Sequence, residues 1–158
     1  MQTVGRLLPR RISQILRELD SSFTVWVNPG QGNSVDMAVS YDHRLIFVAE
    51  VLNWSIGSRM SEKRLTKMIS NLNEFDCRKL LVYTTLDQES LSKFTQNGID
   101  ILEIGYQLLP RYHYYFFLEK EQVDKRRIDC NSTKEDVKNK IIVYLKKHFP
   151  HICIYKQG

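Results

Sequence analysis

Cysteine is scarce in this chain: Cys77, Cys130 and Cys153 are the three in 158 residues. They are odd in number and widely spaced, with no CxxC and no histidine at metal-finger spacing. This excludes a disulfide framework and points to reduced thiols in an intracellular, cytoplasmic setting. Glycine (7) and proline (4) are also few, which excludes low-complexity or Pro/Gly-rich disorder. Long apolar runs are missing too. Leu45-Ile46-Phe47-Val48-Ala49 is far too short to cross a bilayer, and the amino terminus lacks the apolar stretch of a signal peptide. No membrane partner is expected. There is no GxSxG, P-loop, GxGxxG or HExxH, so no organic cofactor is implied. His43, His113, His148 and His151 lie scattered without acids at ligand spacing, which argues against zinc.

What is present is an ordinary globular composition, 42% hydrophobic and 26% charged, in a length suited to one domain. The formal net charge is +5. Basic residues gather in Arg6 to Arg17, Arg59 to Lys67 and Lys120 to Lys147, a distribution that suits phosphate.

Apolar residues at Leu7, Leu8, Ile12, Ile15, Leu16 and Leu19 form one stripe of a helix, with Pro9 expected in its first turn. Phe23 to Val27, rich in β-branched and aromatic residues, reads as a strand, ended by the turn residues Asn28 to Asn33. Val35 to Tyr41 and Arg44 to Leu52 read as a hairpin around Asp42-His43. A helix is expected from about Arg59 to Phe75, a strand over Lys79 to Thr84, a helix capped by Asp87 over Glu89 to Gln96, and a strand over Ile99 to Gly105. The order is αβββαβαβ. Beyond Pro110, Tyr112 to Leu118 reads as a strand, Ser132 to Pro150 as a helix, and Ile152 to Tyr155 as a further strand.

Two acids stand out. Asp36 begins one hairpin strand and Glu50 lies near the end of the next, so antiparallel pairing brings them within reach of one ion. Glu50 sits between Ala49 and Val51 in an apolar strand, where an unpaired carboxylate is costly. A salt bridge to Arg or Lys would satisfy it. So would Mg2+ (or Mn2+), which prefers oxygen ligands, takes one or two protein carboxylates, and could add the backbone carbonyl of Val51.

A helix, then Gly32-Asn33-Ser34-Val35-Asp36, then a hairpin into Val48-Ala49-Glu50-Val51-Leu52, then a basic helix and a βαβ unit, resembles the PD-(D/E)XK nuclease superfamily, which includes archaeal Holliday-junction resolvases and many restriction endonucleases. The resemblance spans roughly Gly5 to Leu109. It implies an α/β mixed-sheet domain with a restriction-endonuclease-like core at 1–110. Residues 111–158 read as a carboxy-terminal strand-helix extension packed on the same domain, with the aromatic run Tyr112 to Phe117 available as the interface of a homodimer. The resemblance also implies metal-dependent hydrolysis of DNA phosphodiester bonds, with Asp36 and Glu50 as the motif acids.

The motif lysine position is occupied by Leu52. Asn53 could take over its role if the strand twists or bulges, or Lys63 or Lys67 could swing in from the next helix. Alternatively, the fold has lost catalysis and serves as a nucleic-acid-binding or assembly module. Gln14 on the first helix is a further candidate for the site. Gln31 and Ser34, with the N–H groups of Gly30 and Gly32, are placed to meet a phosphate. Arg59, Arg64 and Lys67, with Lys63, could track a nucleic-acid backbone. Trp54 can stack on a base or pack over the helix.

Overall fold

The computed structural model describes residues 4–30, 34–55, 59–109, 127–129 and 133–152. Among them are four helices, α1 (Val4–Leu19), α2 (Glu62–Asn73), α3 (Gln88–Gln96) and α4 (Lys134–His148). The strands are β1 (Phe23–Val27), β2 (Met37–Tyr41), β3 (Arg44–Leu52), β4 (Arg78–Tyr83), β5 (Asp100–Glu103), β6 (Gln107–Leu109) and β7 (Arg127–Asp129). The fold is mixed α/β. A five-stranded sheet runs β1-β2-β3-β4-β5, antiparallel through β3 and parallel from β3 to β5.

The β2–β3 turn takes left-handed backbone at both Asp42 (φ 50) and His43 (φ 65), the twist a tight hairpin needs. Ser61 and Asp87 cap α2 and α3, their side chains accepting the N–H groups of Arg64 and Ser90. Both caps satisfy donors that the first helical turn leaves open.

Two cores sandwich the sheet, and strand alternation sorts residues between them. One face buries Phe47, Ala49 and Val51 of β3 against Leu8, Ile12, Ile15 and Leu16 of α1 and Val137, Ile141 and Leu145 of α4. The other buries Val48 and Leu52 against Leu65, Met68 and Leu72 of α2 and Leu91 and Phe94 of α3. Because α4 shares the first core, the extension is packed on the same body as the sheet. Tyr144 of α4 donates to Asp100 (2.9 Å), which also receives Arg78 (2.7 Å), tying the helix to β4 and β5.

Three features differ from the sequence expectations. Pro9 is the sixth residue of α1, not a first-turn residue, because the helix begins a turn earlier, at Val4. Its missing N–H therefore leaves the Gly5 carbonyl without its usual partner, near the helix end, where that loss is smallest. β6 and β7 form a separate parallel two-stranded sheet that no periodicity announced. Ile152 is buried outside any strand, with its N–H on the Phe149 carbonyl. The expected Tyr112–Leu118 strand, with its suggested dimer interface, lies outside the described residues, as do Cys130, Cys153, Gln31 and Gly32. Among the described residues no helix is long and apolar enough to cross a membrane.

Candidate metal centre

Register places the two acids together. Met37 pairs with Ala49 across the hairpin, and one further step sets Asp36 opposite Glu50. Asp36 is held from both sides. Its backbone carbonyl receives the Asn28 N–H (2.8 Å), and its Oδ2 receives the Val51 N–H (2.8 Å). Asn28 anchors the preceding turn, donating from Nδ2 to the Val35 carbonyl (3.2 Å) and accepting the Gly30 N–H at Oδ1 (2.9 Å). Gly30 has φ +95, where a side chain would be strained, and a Cβ there would also collide with the Arg6 guanidinium. Arg6 donates to the Pro29 carbonyl, bringing a cation from α1 to the turn that precedes Asp36.

Glu50 is 5% exposed and points, with Val48 and Leu52, toward the α2–α3 side. Its Oε1 is buried and has no hydrogen-bond partner. Burial, then the charge of Asp36, then a hydrogen bond shared with Asp36, push its carboxyl up to about 9, against a smaller opposing pull from Arg64. A buried carboxyl beside a second carboxylate, with one oxygen left over, is the electrostatic signature of a site that gains from a cation.

The donor set suits a hard divalent ion. Asp36 and Glu50 offer carboxylate oxygens. The Leu52 carbonyl receives the Thr84 N–H (3.0 Å) on the β4 side, whereas the Val51 N–H goes to Asp36 on the β2 side. Within a strand the N–H and C=O of one residue share an edge, so the Val51 carbonyl lies on the Asp36 edge too. Two carboxylates and one carbonyl leave room for the several waters Mg2+ retains. Among the described residues no three His, Cys, Asp or Glu gather into a metal cluster, so the candidate rests on this pair.

The other sequence candidates are dispersed. Leu52, at the motif lysine position, is 1% exposed in the α2–α3 core. Asn53 does not face the acids: its Nδ2 donates to the Leu108 carbonyl (2.8 Å), and its Oδ1 receives the Leu108 N–H (2.8 Å). No bulge rotates it toward Glu50, and strict alternation keeps it on the Val51 side. Gln14 is on the opposite side of the sheet, on the solvent face of α1 between Arg11 (2.8 Å) and Glu18 (3.3 Å). Lys63 is exposed, about 100° around α2 from Arg64, and the cation whose charge reaches Glu50 is Arg64. Arg64 also lies over the Trp54 ring, 5.0 Å from its centre, and Trp54 packs against the α2–α3 core. Arg59 is exposed and acts on Asp87 at the α3 cap. Ser34 and Lys67 are exposed.

Asn53 has a structural duty that its sequence neighbours did not reveal. Asn53→Ala would strand both backbone groups of Leu108, which is 0% exposed. A loss of about 2–4 kcal/mol in urea unfolding is expected. A change within about 0.5 kcal/mol, the range of ordinary surface substitutions, would show that the two bonds are not needed to hold β6.

No protein-family model, no curated protein and no solved structure matches this chain.

Proposed function

We propose that this protein is a divalent-metal-dependent endonuclease acting on DNA, built on a PD-(D/E)XK-like core. The observation that carries the reading is the buried Glu50 carboxyl, with Oε1 partnerless, set against Asp36 across the β2–β3 hairpin. Mg2+ or Mn2+ bound there would supply Lewis-acid polarisation of a phosphoryl oxygen. Asp36 and Glu50, with the Val51 carbonyl, would hold it. Asp36 is positioned for this by the Val51 N–H, which fixes Oδ2, while its carboxyl shares with Glu50 a hydrogen bond that a bound ion would replace. Arg64 takes the supporting role expected of Lys63 or Asn53: a guanidinium steadied on Trp54 at the rim of the acid pair, suited to a phosphate oxygen. Exposed Lys67 and Ser34 extend the polar rim.

Leu52 favours a second reading, a nuclease fold that binds nucleic acid without cutting it, since an apolar side chain buried at that position activates no nucleophile. Labelled single-stranded, duplex and four-way-junction DNA incubated with Mg2+, Mn2+ or EDTA separates the two. Metal-dependent products are expected. Retention of intact DNA under every condition would establish the silent binding module instead.

A further inference from the structure

Trp26, near the end of the edge strand β1, is 46% exposed. The reason is coverage. Among the described residues α2 and α3 lie over Val48 and Leu52 of β3 and Leu81 and Tyr83 of β4. The same face of β1 and β2 is left open: Thr24 and Trp26 are exposed, and Ala38 and Ser40 are half-buried, while Phe23, Val25, Met37 and Val39 on the other face are buried. The open face carries no charge of its own.

Register links this face to the acid pair. Trp26 lies across from Ala38, and Ala38 across from Val48, two residues before Glu50 on the same face of β3. Two strand spacings and one side-chain repeat put Trp26 roughly 12 Å from Glu50.

The long wall beside this floor is cationic. Thr66 and Ile69 of α2 line a cleft with Lys93 and Asn97 of α3, so that flank of α2 is turned to α3. Arg64 and Lys67, three residues apart, occupy the opposite flank, which borders β2 and β1. The helix runs back along the sheet from its start beside the end of β3. Arg64 is therefore level with Glu50, as its pull on that carboxyl attests, and Lys67 is about one turn farther, level with Val48 and Trp26.

Building on the nuclease reading, we propose that this open face seats an unpaired DNA strand, with a base stacked on Trp26 and the phosphates along Lys67 and Arg64, leading into the Asp36–Glu50 pair. An exposed indole offers a flat π surface that an unstacked base can cover, whereas the bases of a duplex are already stacked. Small Ala38 and Ser40 leave the floor low enough for a strand to lie on it. The uncharged floor beside a cationic wall is complementary to a chain of bases with phosphates along one edge.

The test uses the full chain in EDTA, so that binding is read without cleavage. Trp26→Ala and Trp26→Phe are titrated against a fluorescein-labelled single strand of about 20 nucleotides and its matched duplex, with sedimentation velocity in parallel. Trp26→Ala is expected to weaken single-strand binding about 5- to 100-fold and duplex binding far less, with Trp26→Phe close to wild type. Unchanged single-strand affinity in Trp26→Ala would overturn the proposal; a concurrent shift to a smaller species would identify a second copy as the occupant. Equal losses on both substrates would overturn the assignment to unpaired DNA. A wild-type protein that retains no DNA in EDTA and yields no products with Mg2+ or Mn2+ would remove the nuclease reading itself, a result distinct from failure of the platform alone.

Discussion

Replacing Asp36 with Asn is expected to lower metal-dependent DNA cleavage by about 1,000-fold or more while leaving the fold intact. The two consequences separate because Asp36 has two tasks. One is structural: its Oδ2 accepts the Val51 N–H at 2.8 Å, and an amide oxygen can accept that bond equally well. The other is electrostatic, and the neutral amide removes the charge that would hold a divalent ion. Asp36→Ala loses both, so it should cut no better than Asp36→Asn and unfold at a lower temperature. DNA retention in EDTA should be undiminished in both variants, since each removes a negative charge from a surface that phosphates approach. Glu50→Ala should show the same loss of cleavage. Wild-type rates in Asp36→Asn and Glu50→Ala together would eliminate the acid pair as the centre of the reaction.

Glu50→Gln is expected to make the metal-free protein more stable than wild type at neutral pH, with the gap widening as pH rises. The folded carboxyl is raised from an ordinary 4.5 to about 9 by burial first and then by Asp36, with a smaller opposing pull from Arg64. Between those values the folded protein keeps the proton and the unfolded chain gives it up. Stability linked to this proton is therefore complete below about pH 4.5 and declines through the window up to about pH 9, by about 1.4 kcal/mol per unit at most. Glutamine does not titrate, and its amide can donate to Asp36, so the variant escapes the decline. An advantage on the order of 1–3 kcal/mol near pH 7.5 is expected, with about 2–4 °C in Tm for each kcal/mol. Thermal unfolding of both proteins from pH 5 to 9 in EDTA measures it. Mg2+ or Mn2+ should then raise the Tm of wild type more than that of Glu50→Gln, because ions that bind only the folded state stabilise it and these compete for the Glu50 proton. Parallel pH curves, with no differential response to the ions, would mean that Glu50 has another partner in solution.

The two experiments report on different properties of one pair. Cleavage depends on the charge present when an ion and DNA are bound; stability in EDTA depends on what the same carboxylates cost when neither is there. A binding-only protein could show the second effect without the first, which is the outcome Leu52 would lead one to look for. Such a result would keep the Asp36–Glu50 site and Trp26 face as recognition elements.

Much of the local structure was legible from residue order because it depends on short-range chemistry. Phe23 to Val27 and Arg44 to Leu52 form the expected strands, and Asp87 caps the expected helix. The two-residue turn at Asp42-His43 pairs Tyr41 with Arg44, and a one-residue register shift between Val39 and Ser40 then brings Asp36 opposite Glu50 rather than Ala49. Helix ends were less legible. α2 starts at Glu62 rather than Arg59 because Ser61 supplies the cap, and α1 extends a full turn ahead of the proline rule.

What this sequence determined by itself was the alternation and periodicity that build a mixed α/β sheet and set two acids at the same end of one hairpin; the register shift between β2 and β3, which no residue pattern announced, brings them face to face. Tertiary structure alone decided which groups surround those acids. The Asn53 amide is claimed by Leu108, 55 residues away. Among the described residues the cation whose charge reaches Glu50 is Arg64 because helical phase turns Lys63 elsewhere, and Trp26 is left bare because α2 and α3 settle over β3 and β4 rather than over β1. Each of these outcomes depends on packing between segments far apart in the chain, and short-range periodicity carries no record of which distant surface a side chain will meet.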